Sequence, residues 1–179
     1  MSEATPGRAR PEGRRRASLD AIDLAILRLL AIDARMSLRR IARELGMSPP
    51  AITERVARLE GMGVIRGYRA EIDRSMLGFP LVVYVGIVSV QGSDQFQVVE
   101  RLRETPEVED VHVVTGPKDL LLRLRLRDTA HLRDVLFERI WTVPGVDRTE
   151  TFVSLGEMAP KAIDVLLIEG LLADGQAES

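Results

Sequence analysis

Cysteine is missing altogether from the 179 residues. Its absence excludes a disulfide framework, a thiolate metal site and a cysteine nucleophile. Histidine is nearly absent too, with His112 and His131 the two in the chain, and no metal ligation is expected. No apolar run approaches the length that spans a bilayer, and the Arg-rich N-terminus has no apolar core behind it, so it does not have the form of a secretory signal. A soluble cytoplasmic protein without membrane contact is the expectation. Paired carboxylates, a glycine loop shaped to cradle phosphate and a nucleophile–base pair are likewise missing, so catalysis and a cofactor are not expected. Lysine does not occur before Lys118.

What is present is unevenly distributed. Residues 1–70 hold 14 Arg against 8 acidic residues, a balance of +6, whereas residues 71–179 hold 11 basic against 19 acidic, a balance of -8; together they give the net charge of -2. A basic first part joined to an acidic second part fits a nucleic-acid module fused to something else. The length allows one domain or two small ones with a sizeable core.

The basic part is organised around Ser37 to Glu60, SLRRIARELGMSPPAITERVARLE. Ser37 is placed to cap a helix whose apolar face is Leu38, Ile41, Ala42 and Leu45. Gly46 follows the last apolar residue, where positive φ commonly ends a helix. Ser48 caps again, and Pro49 and Pro50 fall in a first turn that has no intrahelical use for their missing N–H groups. Ile52, Val56 and Leu59 make a narrow apolar stripe, leaving Pro50, Ala51, Glu54, Ala57 and Arg58 opposite, with Thr53 and Arg55 on the flanks. A thin buried stripe behind a face of small residues, a hydroxyl and arginines suits a helix lying in the DNA major groove. The candidate DNA-contacting residues are Ser48, Pro50, Ala51, Thr53, Glu54, Arg55 and Arg58. For Arg55 a structural ion pair within the domain is the alternative reading, and two helices around a glycine also occur in proteins that never touch DNA.

Upstream, Asp20 and Asp23 form a variant of the capping box, with Leu19 and Leu24 placed as a hydrophobic staple and Ile26, Leu27 and Leu30 as the buried face of a first helix. Residues 1–18 carry five arginines with Pro and Gly and almost nothing apolar. Disorder is expected there, as a solubilising tail or as an arm adding salt-sensitive phosphate contacts. After Glu60, Val64-Ile65 and Tyr68 to Ile72 read as strands of a hairpin or wing, with Arg66 and Arg69 near the backbone or simply solvated. Residues 19–73 are thus taken as the helix-turn-helix domain and 74–80 as a linker.

The second part changes period. Leu81 to Val90 reads as a buried strand, and Ser93 to Glu104 as a helix facing inward through Phe96, Val99 and Leu102. Val108 to Thr115 is a second strand; Asp119 to Arg127 alternates cleanly as a third. Thr129 to Trp141 is a helix, Pro144-Gly145 a turn and Val146 to Leu155 a fourth strand. The order βαββαβ predicts an antiparallel sheet with both helices on one face, a ferredoxin-like domain over 81–156. In the 157–179 extension, residues 160–172 fit either a helix or a further strand. The fold class expected is α+β.

A helix-turn-helix followed by this βαββαβ resembles the Lrp/AsnC, or feast/famine, family of regulators. The resemblance runs from about Leu19 to Leu155 and is carried by LDAIDLAILRLLAIDARMSLRRIARELGMS, ITERVARLEGMGVIRGYRAEID, the LGF at 77–79, HVVTGPKDLLLRL from His112 and VPGVDRTETFVSL from Val143. It implies a transcription regulator whose second domain binds a small molecule, commonly an amino acid, and pairs sheets into a homodimer that can build octamers. It also implies an effector pocket between subunits formed by His112, Thr115, Gly116 and Asp119, with Thr149 and Thr151 opposite. Free backbone N–H groups in the turn would hold a carboxylate and Asp119 an ammonium. Pro117-Lys118 stands where the family often has an aromatic before that Asp, so the class of effector is left open. Two other readings stay beside this one. One is an architectural DNA binder without effector; the other is an enzyme like the siroheme decarboxylases, which share the architecture.

Overall fold

The computed structural model describes residues 17–158 and 161–177. The expected basic tail lies almost wholly outside them. The chain divides into two compact units, residues 1–70 with 160–179, and residues 71–159.

The first unit begins with α1 (Ala21–Ile32), whose capping box closes as expected: the Asp23 N–H donates to Asp20 Oδ1 at 2.8 Å and the Asp20 N–H to Asp23 Oδ2 at 3.1 Å. Helix α2 (Leu38–Glu44) is capped by Ser37, and α3 (Pro49–Gly61) by Ser48, with its prolines in the first turn. Gly46 between them adopts φ +64°, the left-handed geometry that lets the chain reverse. Ile26, Leu30, Ile41, Ala42, Ile52, Val56 and Leu59 form one core, so the three apolar stripes meet. The expected wing is not formed: no strand occurs between residues 62 and 80. Val64 and Ile65 instead turn back onto the helical core, both N–H groups reaching Leu59 O, and Tyr68 to Ile72 is exposed chain with no neighbour to pair with. The undecided C-terminal stretch is a helix, α6 (Ile163–Ala177), packed on α1 with Arg28 Nε and Glu169 Oε1 2.8 Å apart.

The second unit is the expected βαββαβ. Strands β1 (Leu81–Ser89), β2 (Val108–Val113), β3 (Leu120–Leu126) and β4 (Val146–Val153) form one antiparallel sheet in the order β2-β3-β1-β4. Leu120, Leu122, Leu124 and Leu126 alternate into the core with Val83, Val85 and Ile87, under α4 (Gln95–Arg103) and α5 (Thr129–Val135). Helix α4 docks through Val98 and Leu102 and leaves Phe96 exposed, which corrects the expected face: Phe96 is two residues before Val98, some 200° round the helix. Helix α5 continues into a π-helical turn, Leu136–Ile140. At the wider π repeat, residues four apart nearly eclipse, and Phe137 and Trp141 meet edge to face at 4.5 Å.

Gly145 leads into β4 at φ +99°, and a Cβ there would stand 2.6 Å from Val98 Cγ2 and 3.3 Å from Ser93 Cβ. Gly145→Ala should therefore cost about 2 kcal/mol, from left-handed strain and from displacing α4. Urea unfolding followed by far-UV circular dichroism measures it, with Gly46→Ala separating the two sources: its Cβ meets nothing within 4 Å, so it carries strain alone.

Candidate DNA interface and effector site

Helix α3 buries Ile52, Val56 and Leu59 and presents Pro50, Thr53, Glu54, Ala57 and Arg58 to solvent, with Ala51 half-covered. Two of its hydroxyls also serve the helix itself. Ser48 Oγ accepts the Ala51 N–H at 3.4 Å, and Thr53 Oγ1 donates to Pro49 O at 2.9 Å, which turns the Thr53 side chain back along the first turn. The arginines have more specific commitments. Arg55 Nη1 donates to Asp20 Oδ2 at 2.7 Å and to Asp23 Oδ1 at 2.8 Å, and Arg58 Nη2 donates to the other Asp23 oxygen. Arg55 thus stands in the structural ion pair that was the alternative to a DNA contact, whereas Arg58, though bound to Asp23 through Nη2, leaves half its side chain exposed.

Asp23 has 1% of its side chain exposed. A carboxylate so placed is tolerable only when its oxygens are satisfied. Burial works to raise its pKa, but hydrogen bonds from Arg58, the Asp20 backbone and Arg55 outweigh that and hold it below the ordinary 3.8. Asp20 behaves alike: desolvation raises it, and the Asp23 N–H with Arg55 brings it below 3.8. The N-terminus of α1 is thereby tied to the middle of α3, fixing the angle at which the recognition surface is presented.

Sequence reasoning passed over the arginines of α2. Arg39, Arg40 and Arg43 are all exposed; Arg40 reaches Glu44 at 3.8 Å, while Arg39 and Arg43 make no ion pair among the described residues. Their i,i+4 spacing, legible in LRRIARE, puts the two on one side of α2. In a helix-turn-helix this helix crosses the phosphate backbone. Arg66 and Arg69 are exposed and equally unpaired among the described residues.

In the second unit the β2–β3 turn is held by Asp119. Its carboxylate accepts the Ser89 N–H at 2.7 Å, its N–H donates to Ile87 O at 2.9 Å, and its carbonyl accepts the Val114 N–H at 3.0 Å. Thr115 and Gly116 lie exposed at the tip, and the Ser89 hydroxyl is buried without a hydrogen-bond partner among the described residues. Lys118 leaves the turn across Gly86 to place Nζ 2.8 Å from Glu150 Oε2. Gly86 makes room for it, since a Cβ there would come within 3.0 Å of the Lys118 stem. The pairing Glu150–Gly86–Leu121–His112 runs along the face away from the helices, while Thr149 pairs with Ile87 and Thr151 with Val85 on the helix side. His112 and the two threonines are thus on opposite faces and on edge strands roughly 14 Å apart across the sheet. One chain does not gather the six residues. Thr149 Oγ1 accepts a hydrogen bond from Trp141 Nε1 at 2.9 Å, a partner that the spacing of residues did not disclose.

A helix-turn-helix in the same chain as a ferredoxin-like module is the architecture of DNA-binding regulators with a separate sensing domain, and the family matches select that class over the decarboxylases. Residues 19–60 match the AsnC-type helix-turn-helix domain and residues 82–162 the Lrp/AsnC ligand binding domain. The leucine-responsive regulatory protein of Haemophilus influenzae is 38% identical over 149 residues, covering 82% of this chain and 90% of that protein. AsnC of E. coli superposes with a TM-score of 0.78 at 26% identity, over 83% of this chain and 99% of that one. The feast or famine regulatory protein of M. tuberculosis, solved with L-methionine, gives 0.75 at 34% identity over 80% and 97%. The chain belongs to the Lrp/AsnC family of transcriptional regulators. It is a DNA-binding regulator and not an enzyme, which sets aside the decarboxylase reading. No helix among the described residues is long and apolar enough to cross a membrane.

The Asp20–Asp23 pair gives a pH dependence with a definite sign. Both folded pKa values lie below 3.8, so acid protonates the unfolded state first. Their stabilisation is complete above about pH 5 and is lost as pH falls below about 4. Urea midpoints of the full chain between pH 3 and 7 should show that decline. Asp23→Asn should lower stability at pH 7 by about 2 kcal/mol and flatten the acid limb.

Proposed function

We propose that this regulator acts as a cytoplasmic homodimer, able to build higher assemblies, and that an amino acid or related metabolite bound between copies sets its DNA affinity or assembly. The observation that carries this reading is the separation of the six effector-site residues within one chain. The turn is rigid and preformed around Asp119, yet Thr149 and Thr151 lie on the other face and the far edge, so a closed pocket needs a second copy. The sheet face bearing Tyr84, Leu121 and Phe152 supports pairing, since Phe152 is half exposed and an uncovered sheet face of this kind calls for a second layer. A two-fold dimer would set two α3 helices on successive major-groove faces of a partly palindromic site. The L-methionine bound by the M. tuberculosis relative supports an amino-acid ligand here. His112, Thr115, Gly116, Asp119, Thr149 and Thr151 would form the pocket, with Lys118 and Glu150 at its border.

On the DNA side, Ser48, Pro50, Ala51, Thr53 and Glu54 would face the groove, Arg58 would contact phosphate or a base edge, and Arg55 would act mainly by holding α3 to α1. Arg39 and Arg43 join the set as phosphate contacts. The architectural reading draws support from Lys118, which already has a carboxylate partner in Glu150 of β4.

Titration of DNA from the protein's own upstream region, against a scrambled control at two salt concentrations and with an amino-acid panel, separates these readings. Specific binding altered by one amino acid is expected, and Asp119→Asn should abolish that response while sparing DNA affinity. Equal, salt-labile binding to both fragments, insensitive to every amino acid, would establish the architectural role instead. Arg39→Ala and Arg43→Ala should each weaken both fragments alike and reduce the salt slope by about 1. Arg58→Ala should weaken binding without unfolding the domain.

A further inference from the structure

Helix α6 begins where the match to the ligand-binding domain ends, and it is apolar on two sides. Val165, Ile168, Leu171 and Leu172 are half-buried on the side of Glu169, which is bonded to Arg28 of α1. The opposite side carries Ile163, Leu166 and Leu167, which remain 56%, 53% and 60% exposed. A helix apolar all round is normally covered all round. Gly170 sits on this open side, one turn after Leu167. Mid-helix glycine costs about 1 kcal/mol relative to alanine. Nothing among the described residues requires it, because a Cβ there would meet none of their atoms within 4 Å. A hole beside exposed leucines fits an element approaching from outside.

We propose that this face of α6 packs antiparallel against the same face of a second copy of the chain. An isologous contact demands a self-complementary surface. A two-fold axis passing between Leu167 and Gly170 sets Leu167 of each copy into the gap above Gly170 of the other, a knob entering a hole. The same axis brings Asp174 opposite Ile163, at the N-terminus of the second copy's helix and close to its Lys161. There an acidic side chain meets both a cation and the positive end of the helix dipole. A parallel pairing would instead bring the two Asp174 carboxylates together. A helix of this length is only about 22 Å long, and its contact strip falls short of the ~1,000 Å² that sustains an interface unaided. The α6 pair therefore reinforces an assembly held elsewhere as well, and in this the inference rests on the homodimer reading above.

The chain has no cysteine, so introduced thiols report cleanly. Full-length Leu167→Cys and size-tagged Gly170→Cys, mixed and allowed to exchange subunits, should form a mixed disulfide at least tenfold faster than either variant forms a disulfide with itself. Sedimentation should show Leu167→Glu weakening self-association at least tenfold. Gly170→Leu should do the same although leucine favours helix, with helicity by circular dichroism not reduced. Dimers that persist at wild-type affinity in both variants, with no preferential mixed disulfide, would overturn the α6 contact and leave the homodimer standing. A wild-type chain monomeric at all concentrations would overturn both.

Discussion

The buried carboxylate of Asp23 is the constraint from which the DNA-binding unit takes its shape. It closes the capping box of α1 on one side and accepts Arg55 and Arg58 of the recognition helix on the other. Taking a carboxylate out of water is unfavourable unless its oxygens are filled, so the two helices are specified relative to each other rather than merely packed. The apolar contacts of Ile26, Ile52 and Leu59 supply cohesion, but apolar surfaces slide; directed charge-assisted bonds resist it. The consequence for recognition is a division of labour along α3. Arg55 places its donors inside the unit and Arg58 straddles the boundary, leaving small and acidic side chains on the exposed face.

The sensing unit follows a different economy. Its four core leucines on β3 point one way and its charged residues the other, so the helix-covered face supplies stability and the open face is free for other uses. On that open face Lys118 crosses Gly86 to Glu150, while Glu109 and Glu157 bridge Arg123 and Arg125. These bridges share the open face with Tyr84, Leu121 and Phe152. At the end of the sheet, one Asp119 carboxylate oxygen accepts the Ser89 N–H, which ties the turn to the end of β1. A preformed turn has less ordering entropy to lose on binding.

Much of this was legible in the residues. The two helices around Gly46, the capping box at Asp20 and the alternation of Leu120 to Leu126 each follow from local geometry, and each appears in the structure. The wing was misread because β-branched residues at 64–72 satisfy strand propensity, yet a strand exists only when another pairs with it. Helical spacing groups Phe96 with Val99 and Leu102, whereas Val98 and Leu102 share the face that α4 turns to the sheet. The arginines of α2 are legible in LRRIARE, but only the structure leaves Arg39 and Arg43 exposed and without an ion pair among the described residues.

From α1 to β4, the wing apart, the chain by itself determined the order and type of its elements, together with the division into a basic and an acidic part and the family pattern, because periodicity, capping and turn chemistry act over a few neighbouring residues. Only the tertiary structure decided that Arg55 and Arg58 meet Asp23 across 32 and 35 positions of chain, that Lys118 spans Gly86, and that α6 folds back on α1. Those are contacts between distant segments. Their partners are chosen by where the apolar faces bring the backbone together, and no local pattern records that choice.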